Sequence, residues 1–132
     1  MALASLMGGM NIANVGTSIA HRLQQAMGGV IDIPHGVGMA TLYPAWLRRA
    51  APYRQEKFDR IAEILGNEDN NSYQSVIGFM KRVGVEYKLE DFSKKSDIDS
   101  FLEKLTGDLR NDPIHNIDKD LMKEIYEEAF GN

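Results

Sequence analysis

The sequence predicts an all-α domain, a bundle-like packing of about six helices, and three observations carry that prediction. Apolar residues recur at three- and four-residue steps along most of the chain, helix start and stop residues bracket those runs, and no stretch of strand length alternates apolar with polar residues. With 132 residues, 43% of them apolar and 26% charged, the chain has the size of one ordinary domain with a buried core. A single helical unit over residues 1–132 is therefore expected, with no internal repeat and no low-complexity linker.

The first helix is expected from the steps Leu3, Leu6, Met7, Met10, Val15, Ile19 and Leu23, and it should stop near Gly28-Gly29. Its opening, MALASLMGGMNIANVGTSIA, has no charged residue. A signal peptide would place a basic start before its apolar run, and Asn11, Asn14, Thr17, Ser18 and three glycines are too polar for a bilayer span. A helix buried on all sides inside a larger helical assembly is the expectation. Gly8, Gly9 and Gly16 each cost about 1 kcal/mol of helix propensity relative to Ala, and their use would be close approach by a neighbouring helix or ligand.

The second helix should start near His35, after IDIP, because proline suits a helix start, and it should kink or break at Pro44. A third follows in RQEKFDRIAEILG, with Phe58, Ile61, Ile64 and Leu65 on one stripe and Gly66 as its stop. In NNSYQSVIGFMKRVG, Asn71 stands three residues before Gln74, a pattern like a capping box, and Gly84 ends the run. In SDIDSFLEKLTGDL, Ser96 precedes Asp99 by the same spacing, with Ile98, Phe101, Leu102, Leu105 and Leu109 as the stripe. The last helix, DKDLMKEIYEEAF, takes Asp118 as its cap and repeats Leu121, Met122, Ile125, Tyr126 and Ala129 at helical steps.

Charge narrows the function classes. The net charge is −4, and basic residues occur only in short pairs such as Arg48-Arg49, Lys81-Arg82 and Lys94-Lys95, so no nucleic-acid footprint is expected. Up to Pro52 there are one acid, Asp32, and three bases, against eighteen acids and twelve bases beyond it. The first part therefore reads as buried and the rest as half solvated. The absence of cysteine excludes disulfides, thiolate metal sites and a cysteine nucleophile, and it fits a reducing compartment; a cytoplasmic location is expected.

Two of the three histidines, His21 and His35, bracket HRLQQAMGGVIDIPH. His21 falls in the last turns of the expected first helix and His35 in the first turn of the next, so a reversal through MGGVIDIP brings both imidazoles to one crevice. Spacing alone leaves two readings. The pair ligates a metal such as zinc or ferrous iron, or the two rings cap and hydrogen-bond buried helix ends. His115, in NDPIHN, reads as a surface or cap residue, and nothing nearby completes a ligand pair. Asp32 either orients a ligand histidine or, as expected here, caps the second helix. Tyr43 and Trp46, either side of Pro44, line a pocket or the core, and Asp97 and Asp99 read as helix-start acids.

The surroundings of the histidines carry a resemblance. NVG lies five residues before His21, His35 follows fourteen residues later, and His35 sits in PHGVGMA. Further on come KFDRIAEILG, FMKRVGVEYKLEDF with SDID, and NDPIHNIDKDLMKEIYEEAF. In these segments the chain resembles, over nearly all of its length, the C-terminal helical domain of the iron-containing (group III) alcohol dehydrogenases, a dehydroquinate synthase-like helical domain. The resemblance implies an oxidoreductase interconverting a small alcohol and its aldehyde. In full-length members a Rossmann-like N-terminal domain holds NAD(P), and this domain holds a divalent metal, Fe2+ with Zn2+ as an alternative, through one aspartate and three histidines. His21 and His35 match the last two of those histidines. The metal then acts as a Lewis acid on the substrate oxygen while hydride passes to or from the nicotinamide.

Departures from the family pattern set further expectations. No Asp-x-x-x-His precedes His21, and GGM and HGVG do not form a dinucleotide fingerprint, so two metal ligands and the N-terminal Rossmann-like domain are expected to be absent from this chain. Gln25 stands where many members carry a histidine near the nicotinamide. An amide cannot exchange protons at ordinary pH, but it can orient substrate or nicotinamide. The 132-residue chain alone is expected to be inactive, and to form a homo-oligomer or recruit a partner that supplies the missing domain. The alternative is a non-catalytic helical scaffold or oligomerisation domain derived from that family.

Overall fold

The computed structural model describes residues 1–66, 71–107 and 109–131. Among them are seven α-helices: α1 (Ala2–Val15), α2 (Ile19–Gly28), α3 (His35–Ala50), α4 (Gln55–Ile64), α5 (Ser72–Arg82), α6 (Ile98–Glu103) and α7 (Lys119–Ala129). Short 3₁₀ turns lie at Ala51–Arg54, Leu89–Asp91 and Lys95–Asp97, and the described residues contain no strand.

The seventh helix arises because the predicted first helix is two helices. Gly16 ends α1 with φ 74° and ψ −163°, a backbone region essentially closed to residues with a Cβ. A Cβ there would also stand 2.8 Å from Asn111 Nδ2, so the glycine admits the C-terminal loop against the chain. The close approach at Gly16 is by a loop side chain, where a neighbouring helix or a ligand was expected. At Gly8 and Gly9 nothing lies within 4 Å.

The expectation of a buried first segment is corrected as well. No residue of α1 is buried, and Leu3, Leu6, Met10 and Val15 stay more than half exposed. The apolar faces of α2, α3, α6 and α7 pack on one another, and α1 takes no part in that core.

The core forms around α2, which packs chiefly on α3 and also on α6, while α7 closes over α3 and α6. Ile19, Leu23 and Met27 of α2, Leu42 and Leu47 of α3, Phe101 of α6 and Ile125 and Tyr126 of α7 are at most 1% exposed. Each such side chain contributes about 1.5–3 kcal/mol by leaving water. The α3–α7 contact is fastened at its edge by charge. Arg49 reaches Glu128 and Glu124, and Arg48 reaches Glu128 at 3.2 Å while lying over the Tyr73 ring.

Three local expectations are corrected and two hold. At Pro44, where a kink or interruption was expected, α3 continues as one helix, so the interruption does not occur; a proline costs one helical hydrogen bond, and burial of Leu42, Ala45, Trp46 and Leu47 around it outweighs that loss. α6 stops at Glu103, earlier than its apolar stripe suggests, although Leu105 and Leu109 still pack on the core; Asp108 of that stretch lies outside the described residues. The Ser96–Asp99 box is not formed, because Asp97 instead accepts from the Lys94 N–H and the Ser93 hydroxyl at the preceding turn. As expected, Asn71 caps α5 by accepting from Gln74 N–H, and Asp118 caps α7 by accepting from Leu121 N–H.

Candidate metal centre

The reversal between α2 and α3 is short and well anchored. The Val30 and Ile31 N–H groups both donate to Met27 C=O, and buried Ile33 hydrogen-bonds back to Ile31 before Pro34 opens α3. His35 is the first residue of α3. His21 is the third residue of α2, in its first turn and not in the last turns of a longer helix, because the chain restarts its helix at Ile19. The reversal still brings the two imidazoles together: their ring centroids lie 5.4 Å apart with planes at 46°.

Side chains from distant parts of the chain fix the helix that carries His21. Asp112 Oδ2 accepts from the Ile19 N–H at 2.8 Å and from Trp46 Nε1 at 2.9 Å, while its Oδ1 accepts from Ile114 N–H. One carboxylate thus caps the start of α2, where helix N–H groups lack partners and the dipole favours negative charge, and ties it to α3. In the middle of α2, the buried Tyr126 hydroxyl donates to Leu23 C=O at 2.7 Å, and burial pushes that phenol well above its ordinary pKa. The sequence marks Tyr126 only as part of the apolar stripe of its helix, and gives Asp112 no role. The turn signal Asn-Asp-Pro at 111–113 was visible, but the partners of Asp112 lie 66 and 93 residues away.

Burial first, then the neighbouring His35 and Arg22, hold the His21 pKa below the ordinary histidine value. The ring is therefore neutral at neutral pH, the form that ligates metal. His35 Nδ1 lies 2.5 Å from Oε1 of Gln24, a buried amide between α2 and α3. Gln24 was missed by the sequence reading, which favoured its neighbour. Gln25 is exposed one turn after His21, and its Oε1 accepts from Arg22 Nη1 at 3.2 Å.

The remaining candidates separate from the pair. His115 is exposed and packs edge-on against Tyr53. Asp32 is exposed, and no side chain caps α3, whose start follows Pro34, so the expected capping role is not realised. Trp46 belongs to the core, against Tyr43 and Phe58. Asp97 is held below the ordinary carboxylate range by hydrogen bonds from Ser93 and Lys94, as suits an acid at a turn. Among the described residues no three His, Asp or Glu side chains gather into a group that could hold a metal ion; His21 and His35 stand together as a pair. No helix among the described residues is long and apolar enough to cross a membrane.

Known proteins resemble this chain over most of its length. Lactaldehyde reductase of Escherichia coli K12 is 29% identical over 119 residues, which cover 83% of this chain and 31% of that protein. 1,3-Propanediol dehydrogenase of Citrobacter freundii is 29% identical over 98% of this chain and 36% of its own length. The chain thus spans about a third of the length of these curated relatives. Among solved structures, 1,3-propanediol oxidoreductase superposes with a TM-score of 0.81 at 28% identity, over 96% of this chain and 36% of that one. Alcohol dehydrogenase from Oenococcus oeni gives 0.79 at 26% identity, over 92% and 34%. The family description "Fe-containing alcohol dehydrogenase family, C-terminal" matches residues 1–130, and the chain belongs to that family as its all-helical C-terminal domain.

Proposed function

We propose that this domain supplies His21 and His35 to a divalent metal, Fe2+ or Zn2+, in an NAD(P)-dependent interconversion of a small alcohol and its aldehyde. The observation that carries the reading is the adjacency of two imidazoles, one of them kept neutral by its surroundings, in a chain of the iron-containing family. A bound divalent ion supplies Lewis acidity toward a substrate oxygen. The chain's own residues hold and orient. Asp112 and Tyr126 fix α2 and so set the position of His21, the Met27–Ile33 turn sets His35, and Gln25, one turn beyond His21, offers an amide to orient substrate or nicotinamide without exchanging a proton. The other two ligands and the dinucleotide site come from sequence or a partner beyond these residues.

The exposed apolar α1 supports the same incompleteness. A helix with Leu3, Leu6, Met7, Met10 and Val15 all open to solvent needs a covering surface, from the cofactor-binding domain or from a second copy of the chain. Metal analysis of the purified protein tests the reading. Recovery of Fe or Zn that disappears when both histidines are changed to Ala is expected, together with no alcohol oxidation by the chain alone. Metal content indifferent to those changes, or robust turnover by these 132 residues, would contradict it.

A further inference from the structure

Gln24 is a polar side chain only 3% exposed, packed from α2 against Gly38 of α3. A buried amide needs partners, and this one faces His35: Oε1 stands 2.5 Å from Nδ1. An amide oxygen only accepts, so Nδ1 carries the proton. A neutral imidazole holds one proton, which leaves Nε2 as the nitrogen with a free lone pair. The backbone of α3 is shaped to admit this side chain. A Cβ on Gly38 would lie 3.0 Å from Gln24 Cγ, 3.2 Å from its Nε2 and 2.9 Å from Met27 Cε, so the amide occupies space that only a glycine at 38 leaves open.

We propose that Gln24 is a positioning residue that fixes His35 as the Nδ1–H tautomer and so presents Nε2 alone for ligation. The ligation itself rests on the reading of His21 and His35 as metal ligands; the tautomer does not. The arrangement is the one by which ligand histidines are commonly oriented, a hydrogen bond from the second ring nitrogen to an acceptor in the protein.

The test uses the metal-free chain with ¹⁵N-labelled histidine, at mildly alkaline pH. Long-range nitrogen–proton correlations should give His35 as a single Nδ1–H tautomer. Gln24→Met keeps the volume but removes the acceptor, and His35 should become a tautomer mixture; Gln24→Glu keeps an acceptor oxygen and should restore the single form. Zn2+ titration of the same proteins should then show about 10- to 100-fold weaker binding for Gln24→Met than for the parent. A parent protein with Nε2–H, or a tautomer unmoved in Gln24→Met, overturns the proposal whatever the metal does. Zn2+ affinity unchanged by His21→Ala and His35→Ala overturns instead the ligand reading beneath it.

Discussion

The helices α1 and α2 meet at Gly16 and differ in the opposite sense to their composition. α1 is the more apolar, uncharged along its length, and carries no buried residue; α2 includes His21, Arg22, Gln24 and Gln25, and most of it is buried. What separates them is the supply of partners. α2 has the faces of α3 and α6, the Asp112 carboxylate at its start and the Tyr126 hydroxyl at its middle, whereas the described chain offers α1 nothing comparable. Apolar composition sets how much a helix gains from burial, and complementary surface decides whether it is buried.

The comparison breaks most visibly under truncation of one leucine in each helix. Leu23→Ala removes a fully buried side chain and should destabilise by about 2–5 kcal/mol, read by urea denaturation. Leu6→Ala, on the open helix, should stay within about 0.5 kcal/mol. Equal losses at both sites would mean that α1 is packed in solution.

Asp112→Ala sharpens the account of α2. It strips a charged acceptor from three N–H donors, two of them on α2 and α3, and should cost about 2–3 kcal/mol, with faster amide exchange at Ile19. Gly16→Ala, at the boundary itself, should cost about 1–3 kcal/mol, since alanine is strained at that backbone angle and its methyl meets Asn111. A neutral effect would mean that the two helices fuse into one in solution.

A smaller effect follows from protonation. The folded pKa of His21 lies below its unfolded value, so between the two the unfolded chain binds more protons than the folded one. The contribution is fully present above the ordinary histidine value of about 6.5 and declines as pH falls below it. Urea midpoints of the metal-free chain and of His21→Gln, followed from pH 8 to pH 5, should show the parent losing more; parallel curves would remove His21 as the cause.

Much of the fold was legible in the sequence because its signals are local. Asn71 and Asp118 announced their helices by a side chain and an N–H three residues on, and the stripe Ile98, Phe101, Leu102 marked a core face without reference to any other segment. The histidine pair was legible too, since a short reversal joins its two helices. What escaped was non-local. The break at Gly16 depends on Asn111 crossing there, the continuity of α3 through Pro44 depends on what its flanks bury, and Asp112 acts on residues remote in sequence. Gln24 escaped for a different reason: it adjoins Gln25, and only the helix phase decides which amide turns inward.

The central claim, that His21 and His35 form half of a metal site, is tested most directly by calorimetric titration of Zn2+ into the parent chain and into His21→Ala and His35→Ala. One weak site is expected in the parent, short of the roughly 10–16 kcal/mol of a complete zinc set, and its loss in either variant. Binding of equal strength in all three proteins would contradict it.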